Sequence, residues 1–143
     1  MADNNIKTAG SCLCGNITVA VDGTPMLMAQ CHCRDCQKAS GSGHMSQVFM
    51  PEEMVEISGD ATGYSSTTDS GNTITRYFCP TCGGRVFGKN TLRKGVVAIP
   101  VGLFENRAWF KPNAVVYCRN RDDWDVTDES IPNFDAMPPP PPA

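Results

Sequence analysis

Residues 79–84 read CPTCGG, a segment typical of a metal-binding turn. The two residues between Cys79 and Cys82 bend the chain so that both sulfurs can face one point, as in turns that bind zinc. Gly83 and Gly84 accept a positive φ and leave backbone N–H groups free to bond thiolates. The turn provides only two ligands, so a closed tetrahedral site needs a second pair of donors.

The best candidate for the second pair is Cys12 and Cys14, which are one residue apart and are also followed by a glycine. With Cys79 and Cys82 they would form a structural site of four thiolates that ties the beginning of the chain to its middle. Disulfides between the same cysteines would require an oxidising compartment, and nothing in the sequence indicates one.

A second metal site is predicted at residues 31–36, CHCRDC, where Cys31, Cys33 and Cys36 supply three closely spaced thiols. Three protein ligands with an open fourth position are typical of a catalytic zinc, which binds water or substrate in that position. We therefore expect these three cysteines to form the catalytic group.

Other residues could complete the second site. His32 lies between two ligand residues, so its side chain should point away from a metal that they share. Cys118 could be the fourth ligand, or it could be a buried or half-buried free thiol in a strand. His44 is most simply a strand residue, although it is close enough in sequence to reach the site.

Zinc bound by three or four thiolates is a net anion, so both sites need N–H donors or basic residues nearby. Arg34 and Lys38 follow the second site closely, and Arg85 follows the CPTCGG turn. Each of them could equally be a solvated surface charge.

Most of the chain consists of short apolar stretches separated by Gly, Asp and Ser turns, and helical periodicity is scarce. Residues 33–40 could form one short helix that Gly41 ends. This pattern predicts a mainly β fold, small and built around the zinc-binding cysteine clusters. The candidate strands are residues 16–21, 44–50, 54–57, 73–78, 85–87, 96–101 and 114–117.

The length of 143 residues is that of one domain. We assign residues 1–137 to a zinc-binding domain and residues 138–143, PPPPPA, to a disordered proline-rich tail.

Charge and hydropathy exclude several classes of partner. Twelve basic and fifteen acidic residues give a net charge of −3, which disfavours binding to nucleic acid or to an anionic membrane. No apolar run approaches the roughly 18–20 residues that span a bilayer, and the polar start does not look like a secretory signal. We therefore expect a cytoplasmic protein with no membrane partner.

The cysteine segments together resemble the glutathione-dependent formaldehyde-activating enzyme family, which includes the domain of centromere protein V. The matching segments are GSCLCG at 10–15, CHCRDCQKASGS at 31–42 and FCPTCGG at 78–84. The ending IPNFDAMP at 131–138 is also similar, so the resemblance runs from about Gly10 to about Met137. Residues 116–118 depart from it, because the family often has a histidine there.

The resemblance implies an Mss4-like β fold with two zinc ions, one structural and one catalytic. The structural ion would be held by Cys12, Cys14, Cys79 and Cys82, and the catalytic ion by Cys31, Cys33 and Cys36. The implied activity is the addition of glutathione to formaldehyde, classed as a carbon–sulfur lyase, with glutathione or a similar small thiol as substrate.

Two questions stay open at this point. Glutathione is anionic, and its carboxylates could be received by Arg34, by Lys38 or by the N–H groups of residues 40–43. The alternative function is a non-catalytic zinc-binding module for protein partners, because a proline-rich tail can dock in an aromatic groove.

Overall fold

The structure is a computed structural model that describes residues 4–138. Its strands make up 41% of the chain and its helices 12%, which confirms the prediction of a mainly β fold. The predicted tail, residues 138–143, lies outside the described residues except for Pro138. The described helices are all too short to cross a membrane.

Within this part of the chain there are ten strands and one α-helix. They are β1 (Ile6–Ser11), β2 (Thr18–Gly23), β3 (Leu27–Cys31), α1 (Arg34–Ser40), β4 (Met45–Pro51), β5 (Val55–Ser58), β6 (Thr62–Thr67), β7 (Thr73–Phe78), β8 (Arg85–Asn90), β9 (Val96–Pro100) and β10 (Ala114–Val116).

The strands form two sheets. The smaller sheet has the order β1-β2-β5, and the larger has the order β10-β3-β4-β9-β8-β7-β6. Strand β10 runs parallel to β3, and the other neighbouring strands are antiparallel. Each sheet therefore contains a hairpin whose turn carries a pair of cysteines: β1–β2 in the smaller sheet and β7–β8 in the larger.

Side chains from both sheets form the main hydrophobic core. In β2, for example, Val19 and Val21 are buried whereas Thr18 and Asp22 are exposed, as alternation along a strand requires. Fully burying an aliphatic side chain of this size contributes about 1.5–3 kcal/mol. The buried core side chains from β4, β8 and β9 are Val48, Met50, Val86, Phe87, Val97 and Ile99.

A second, smaller hydrophobic cluster lies under helix α1. It contains Cys31, Cys36 and Met45 together with Ala114 and Val116 of β10. Cys36 packs the helix on the larger sheet, where Cys31 ends β3, so this cluster sets the position of the site.

The predicted strands overlap seven of the ten observed ones, and strands β1, β3 and β6 were not predicted. The predicted helix is present, but it begins at Arg34 because Cys33 is its N-cap, and Gly41 ends it in the left-handed conformation with φ 71°.

Gly10→Ala is expected to destabilise the protein strongly. A Cβ atom at Gly10 would overlap the carbonyl oxygen of Leu103 and lie 2.7 Å from Cα of Phe104, where β1 bridges to Phe104. Because these are backbone atoms, relief requires a main-chain shift, and we expect the free energy of unfolding to fall by about 2–3 kcal/mol in urea denaturation.

Gly102→Ala is the matched control, since a Cβ atom there would meet nothing within 4 Å. Its free energy of unfolding should stay within about 0.5 kcal/mol of wild type. Equal denaturation midpoints for the two variants would contradict the packing described for β1.

Candidate metal centres and the cavity between them

The turn between β1 and β2 brings Cys12 and Cys14 to one end of the smaller sheet. The N–H of Cys12 donates to the carbonyl of Ile17 at 3.0 Å, and the N–H of Gly15 donates to the carbonyl of Cys12 at 3.1 Å. Gly15 has a φ of 85°, which only glycine adopts readily. The turn also directs the N–H of Ile17 at Cys12 Sγ, at 3.3 Å.

The turn between β7 and β8 brings Cys79 and Cys82 together at one end of the larger sheet. The N–H of Gly83 donates to the carbonyl of Cys79 at 2.8 Å, and the N–H of Cys79 donates to the carbonyl of Gly84 at 2.9 Å. Gly83 has a φ of 76°, as the sequence predicted for this turn. The N–H of Thr81 lies 3.4 Å from Cys79 Sγ.

These two turns meet, and their thiols form one group, which we call the four-cysteine cluster (Cys12, Cys14, Cys79 and Cys82). Cys14 Sγ lies 3.7 Å from Cys12 Sγ and 3.6 Å from Cys79 Sγ. A tetrahedral zinc with Zn–S bonds of about 2.3 Å has S···S edges of about 3.8 Å. The donor set therefore fits zinc. The spacing is too long for disulfides, and all the cysteines are free.

Backbone N–H groups favour the charged form of these thiols. Hydrogen bonds from the backbone of Cys14 and of Gly84 lower the pKa of Cys82 to about 6. A thiol that ionises easily is the form a metal requires, because thiolates and not thiols are the ligands.

The second group, the three-cysteine cluster, consists of Cys31, Cys33 and Cys36. Cys31 ends β3, Cys33 caps helix α1, and Cys36 lies in its first turn, where its N–H donates to Cys33 Sγ at 3.2 Å. The buried Gln37 anchors the segment, because its Nε2 donates to the carbonyls of His32 at 2.8 Å and Asn120 at 3.0 Å.

The three thiols are close enough to share a proton or a cation. Hydrogen bonds from Cys31 and then Cys36 lower the pKa of Cys33 to about 2, and the same contact with Cys33 raises the pKa of Cys31. Cys31 and Cys36 are buried and Cys33 is half-buried, so the cluster is accessible from the Cys33 side. Three convergent sulfurs also fit a zinc ion, with one coordination position left over.

The basic residues near the three-cysteine cluster differ from those that the sequence suggested first. Arg34 and Lys38 are exposed on α1, and Arg34 donates to Gln37 Oε1. Instead, the charge of Arg76 acts on Cys33 and Cys36, and the charges of Arg85 and Cys36 act on each other. Arg76 is 14% exposed, and its guanidinium lies 4.0 Å from Asp35 and 3.3 Å from Ser66 Oγ.

Arg85 has no such partner. Burial, followed by the charge of Arg76, lowers the pKa of Arg85 to about 10, so the group is still charged at neutral pH. Its Nε and Nη1 atoms are buried without a hydrogen bond to any described residue.

A third group, which we call the His–Asp cluster, comprises His32, His44 and Asp125. Asp125 Oδ2 lies 2.6 Å from Nδ1 of His44 and 3.5 Å from Nδ1 of His32. As predicted, His32 is not grouped with the three neighbouring thiols. Its side chain is 1% exposed, and burial lowers its pKa. A Cβ atom at Gly43 would lie 2.3 Å from Asp125 Oδ2, so a larger residue there would displace the Asp125 side chain. The sequence analysis did not single out Asp125.

Cys118 does not join either thiol cluster. It is half-buried, and its Sγ lies 3.7 Å from the carbonyl of Val115 and from Oδ1 of Asn133. Of the two interpretations that the sequence left open for Cys118, the free thiol agrees with this position, but Cys118 begins a short 3₁₀ helix after β10 and does not lie in a strand. Tyr117 before it has a φ of 57°, and its pKa is raised by burial and then by the charges of Cys31 and Cys33.

An open cavity of about 400 Å³ lies between the two thiol clusters. Gly83 and Gly84 of the β7–β8 turn form one wall. Ala39 and Met45 form another, and both also pack against Cys31 and Cys36. The polar side chains that line it are those of Ser40, His44, Ser46 and Arg85.

Comparison with known families and proteins gives one consistent result. The model of a protein family described as glutathione-dependent formaldehyde-activating enzyme matches residues 7–120. Proteins from Aspergillus flavus and Aspergillus oryzae are each 27% identical to this chain over 106 residues, which is 71% of this chain and 55% of the relative.

A Penicillium rubens protein is 28% identical over 104 residues, which is 71% of this chain and 54% of the relative. All three fungal proteins bear the provisional name glutathione-dependent formaldehyde-activating enzyme. The chain spans about half the length of these curated relatives.

A solved crystal structure of a Rhodobacter sphaeroides protein has a similar fold. It superposes with a TM-score of 0.55 at 18% identity, covering 68% of this chain and 88% of that chain. This likeness concerns the fold alone.

Proposed function

Because the chain belongs to the glutathione-dependent formaldehyde-activating enzyme family, we propose that it is a zinc-dependent enzyme of the carbon–sulfur lyase type. Its substrates would be glutathione or a similar small thiol, and an aldehyde such as formaldehyde. In the addition, the thiol sulfur bonds to the carbonyl carbon, the π electron pair moves to the carbonyl oxygen, and the proton lost by the thiol ends on that oxygen.

The observation that carries this proposal is the incomplete donor set of the three-cysteine cluster. No fourth Cys, His, Asp or Glu of residues 4–138 belongs to that group. A site with three protein ligands keeps a position for a substrate atom, whereas a four-thiolate site does not. Cys31, Cys33 and Cys36 would hold the catalytic zinc.

A zinc ion at this position would act as a Lewis acid and lower the pKa of a thiol bound to it. The remaining chemistry falls to the chain itself. Arg76 and Arg85 offset the negative charge of the thiolates. The open cavity would receive thiol and aldehyde beside Ala39 and Met45, which pack against Cys31 and Cys36. His44 lines the cavity with Asp125 on its Nδ1, so we assign the transfer of the thiol proton to its Nε2.

The four-cysteine cluster has a different role in this proposal. Its four donors leave no open position, and it joins a turn of each sheet. We assign it a structural zinc that holds the two sheets together. Free thiols throughout the described chain are the state expected in the reducing cytoplasm.

The direct test is to mix zinc-loaded protein with glutathione and ¹³C-formaldehyde and to follow S-hydroxymethylglutathione by NMR. This adduct also forms spontaneously, so the proposal requires a rate that increases linearly with enzyme concentration. If the adducts of glutathione and of other small thiols form no faster with the enzyme than without it, the proposal is refuted.

A further inference from the structure

Arg85 is a charged side chain without a partner among the described residues. Its Nε and Nη1 atoms are buried, and neither makes a hydrogen bond within residues 4–138. The ion pairs of this region join other residues, so no carboxylate of the described chain lies within 4.0 Å of the Arg85 guanidinium. Buried charged donors are normally paired, because an unpaired one loses its hydration without compensation.

The cavity provides room for the missing partner. Arg85 lines it together with the hydroxyl-bearing residues Ser40 and Ser46. A volume of about 400 Å³ falls within the range of roughly 300–1,000 Å³ that is usual for small-molecule sites. Such sites are mostly apolar with a few convergent polar groups, and this cavity has that character.

The charges around Arg85 favour an anion as that partner. Arg76 is near enough for the two positive charges to interact, and it is already engaged by Asp35. The thiolate of Cys36 attracts Arg85, but no sulfur accepts a hydrogen bond from it. The guanidinium therefore keeps N–H groups that make no hydrogen bond within the described residues, on a side chain that lines the cavity, and such groups suit a carboxylate.

We propose that Arg85 binds a carboxylate of the substrate, so that the protein selects anionic thiols over neutral ones. This inference rests on the proposed function and specifies its substrate class: a thiol with a carboxylate close enough to its sulfur for both to occupy one cavity. Arg34 and Lys38, the other cationic candidates, are exposed on α1 and do not line the cavity.

The test uses S-methylglutathione, which keeps both carboxylates but cannot bind a metal as a thiolate or react with an aldehyde. We expect the full-length zinc-loaded protein to bind it in calorimetry, and Arg85→Gln to bind it roughly 10- to 100-fold more weakly. Arg93→Gln is the matched control, because Arg93 follows the opposite end of β8 and stacks on Phe49. Its affinity should stay within about twofold of wild type.

A second measurement does not depend on any variant. Wild type should bind the diethyl ester of S-methylglutathione roughly 10- to 100-fold more weakly than the acid, and Arg85→Gln should distinguish the two forms little. Equal affinity of wild type for acid and ester, or no binding of the acid, would overturn the proposal. Turnover of glutathione without this discrimination would overturn the carboxylate site alone, whereas discrimination without turnover would overturn the enzymatic function alone.

Discussion

Cys79→Ser is expected to unfold the protein under conditions in which wild type is folded. Cys79 is fully buried, and its thiol lies 3.6 Å from that of Cys14 in the other sheet. Losing one of four ligands weakens a structural metal whose binding is itself a large part of the folding free energy. We expect the free energy of unfolding to fall by at least about 4 kcal/mol, against a typical total of about 5–15 kcal/mol.

Guanidinium denaturation followed by circular dichroism measures this loss. The matched control is Cys118→Ser, since Cys118 is a free thiol outside both clusters and its Sγ contacts can be taken over by a hydroxyl. That variant should change the free energy of unfolding by less than about 1 kcal/mol. A Cys79→Ser protein as stable as the Cys118→Ser protein would show that no metal cross-links the two sheets.

Cys33→Ser is expected to abolish activity while the fold survives. Cys33 is a proposed ligand of the catalytic zinc and also the N-cap of α1. Serine is a preferred N-cap residue, so its hydroxyl can accept the hydrogen bond from the N–H of Cys36 that Cys33 Sγ now accepts. The substitution therefore removes a metal ligand without removing the cap.

We expect turnover of glutathione and formaldehyde to fall at least about 100-fold, with the melting temperature within a few degrees of wild type. The measurement pairs the adduct assay with thermal melting of the same sample. A fully active Cys33→Ser protein would exclude the three-cysteine cluster from catalysis. Unfolding together with inactivity would instead assign the cluster a structural role.

The grouping of the thiols could be predicted because most of the cysteines in each group are only one to three residues apart in the sequence. Cys79 and Cys82 meet in one turn, and Cys31, Cys33 and Cys36 follow one another from a strand end into a helix. The thiols lie together in the two groups that the motifs indicated. Their roles as ligands stay predictions.

Two of the three missed strands, β1 and β6, lack an apolar pattern of their own. β6 reads TGYSST and is exposed along nearly its whole length, so it forms because it pairs with β7. β1 reads IKTAGS and buries only Ile6, and it pairs with β2 throughout. Such strands depend on tertiary pairing, which local periodicity does not reveal.

The same limit applies to the surroundings of the site. Asp125 lies 81 residues from His44, and only the fold brings the two together. Arg76 and Arg85 approach the three-cysteine cluster across the sheet, whereas Arg34 and Lys38 are close in sequence but exposed on the helix. Spacing along the chain therefore grouped the cysteines as the structure does, but it did not identify their charged neighbours.

The central claim is that the protein holds two separate zinc ions, one in a closed four-ligand site and one in a three-ligand site with an open position. The most direct test is the zinc content of wild type and of Cys33→Ser, both purified without added metal or chelator. We expect two zinc ions per wild-type chain and about one in a folded Cys33→Ser protein. One zinc ion in both proteins would contradict the account, because the three-cysteine cluster would then hold no metal with which to activate a thiol.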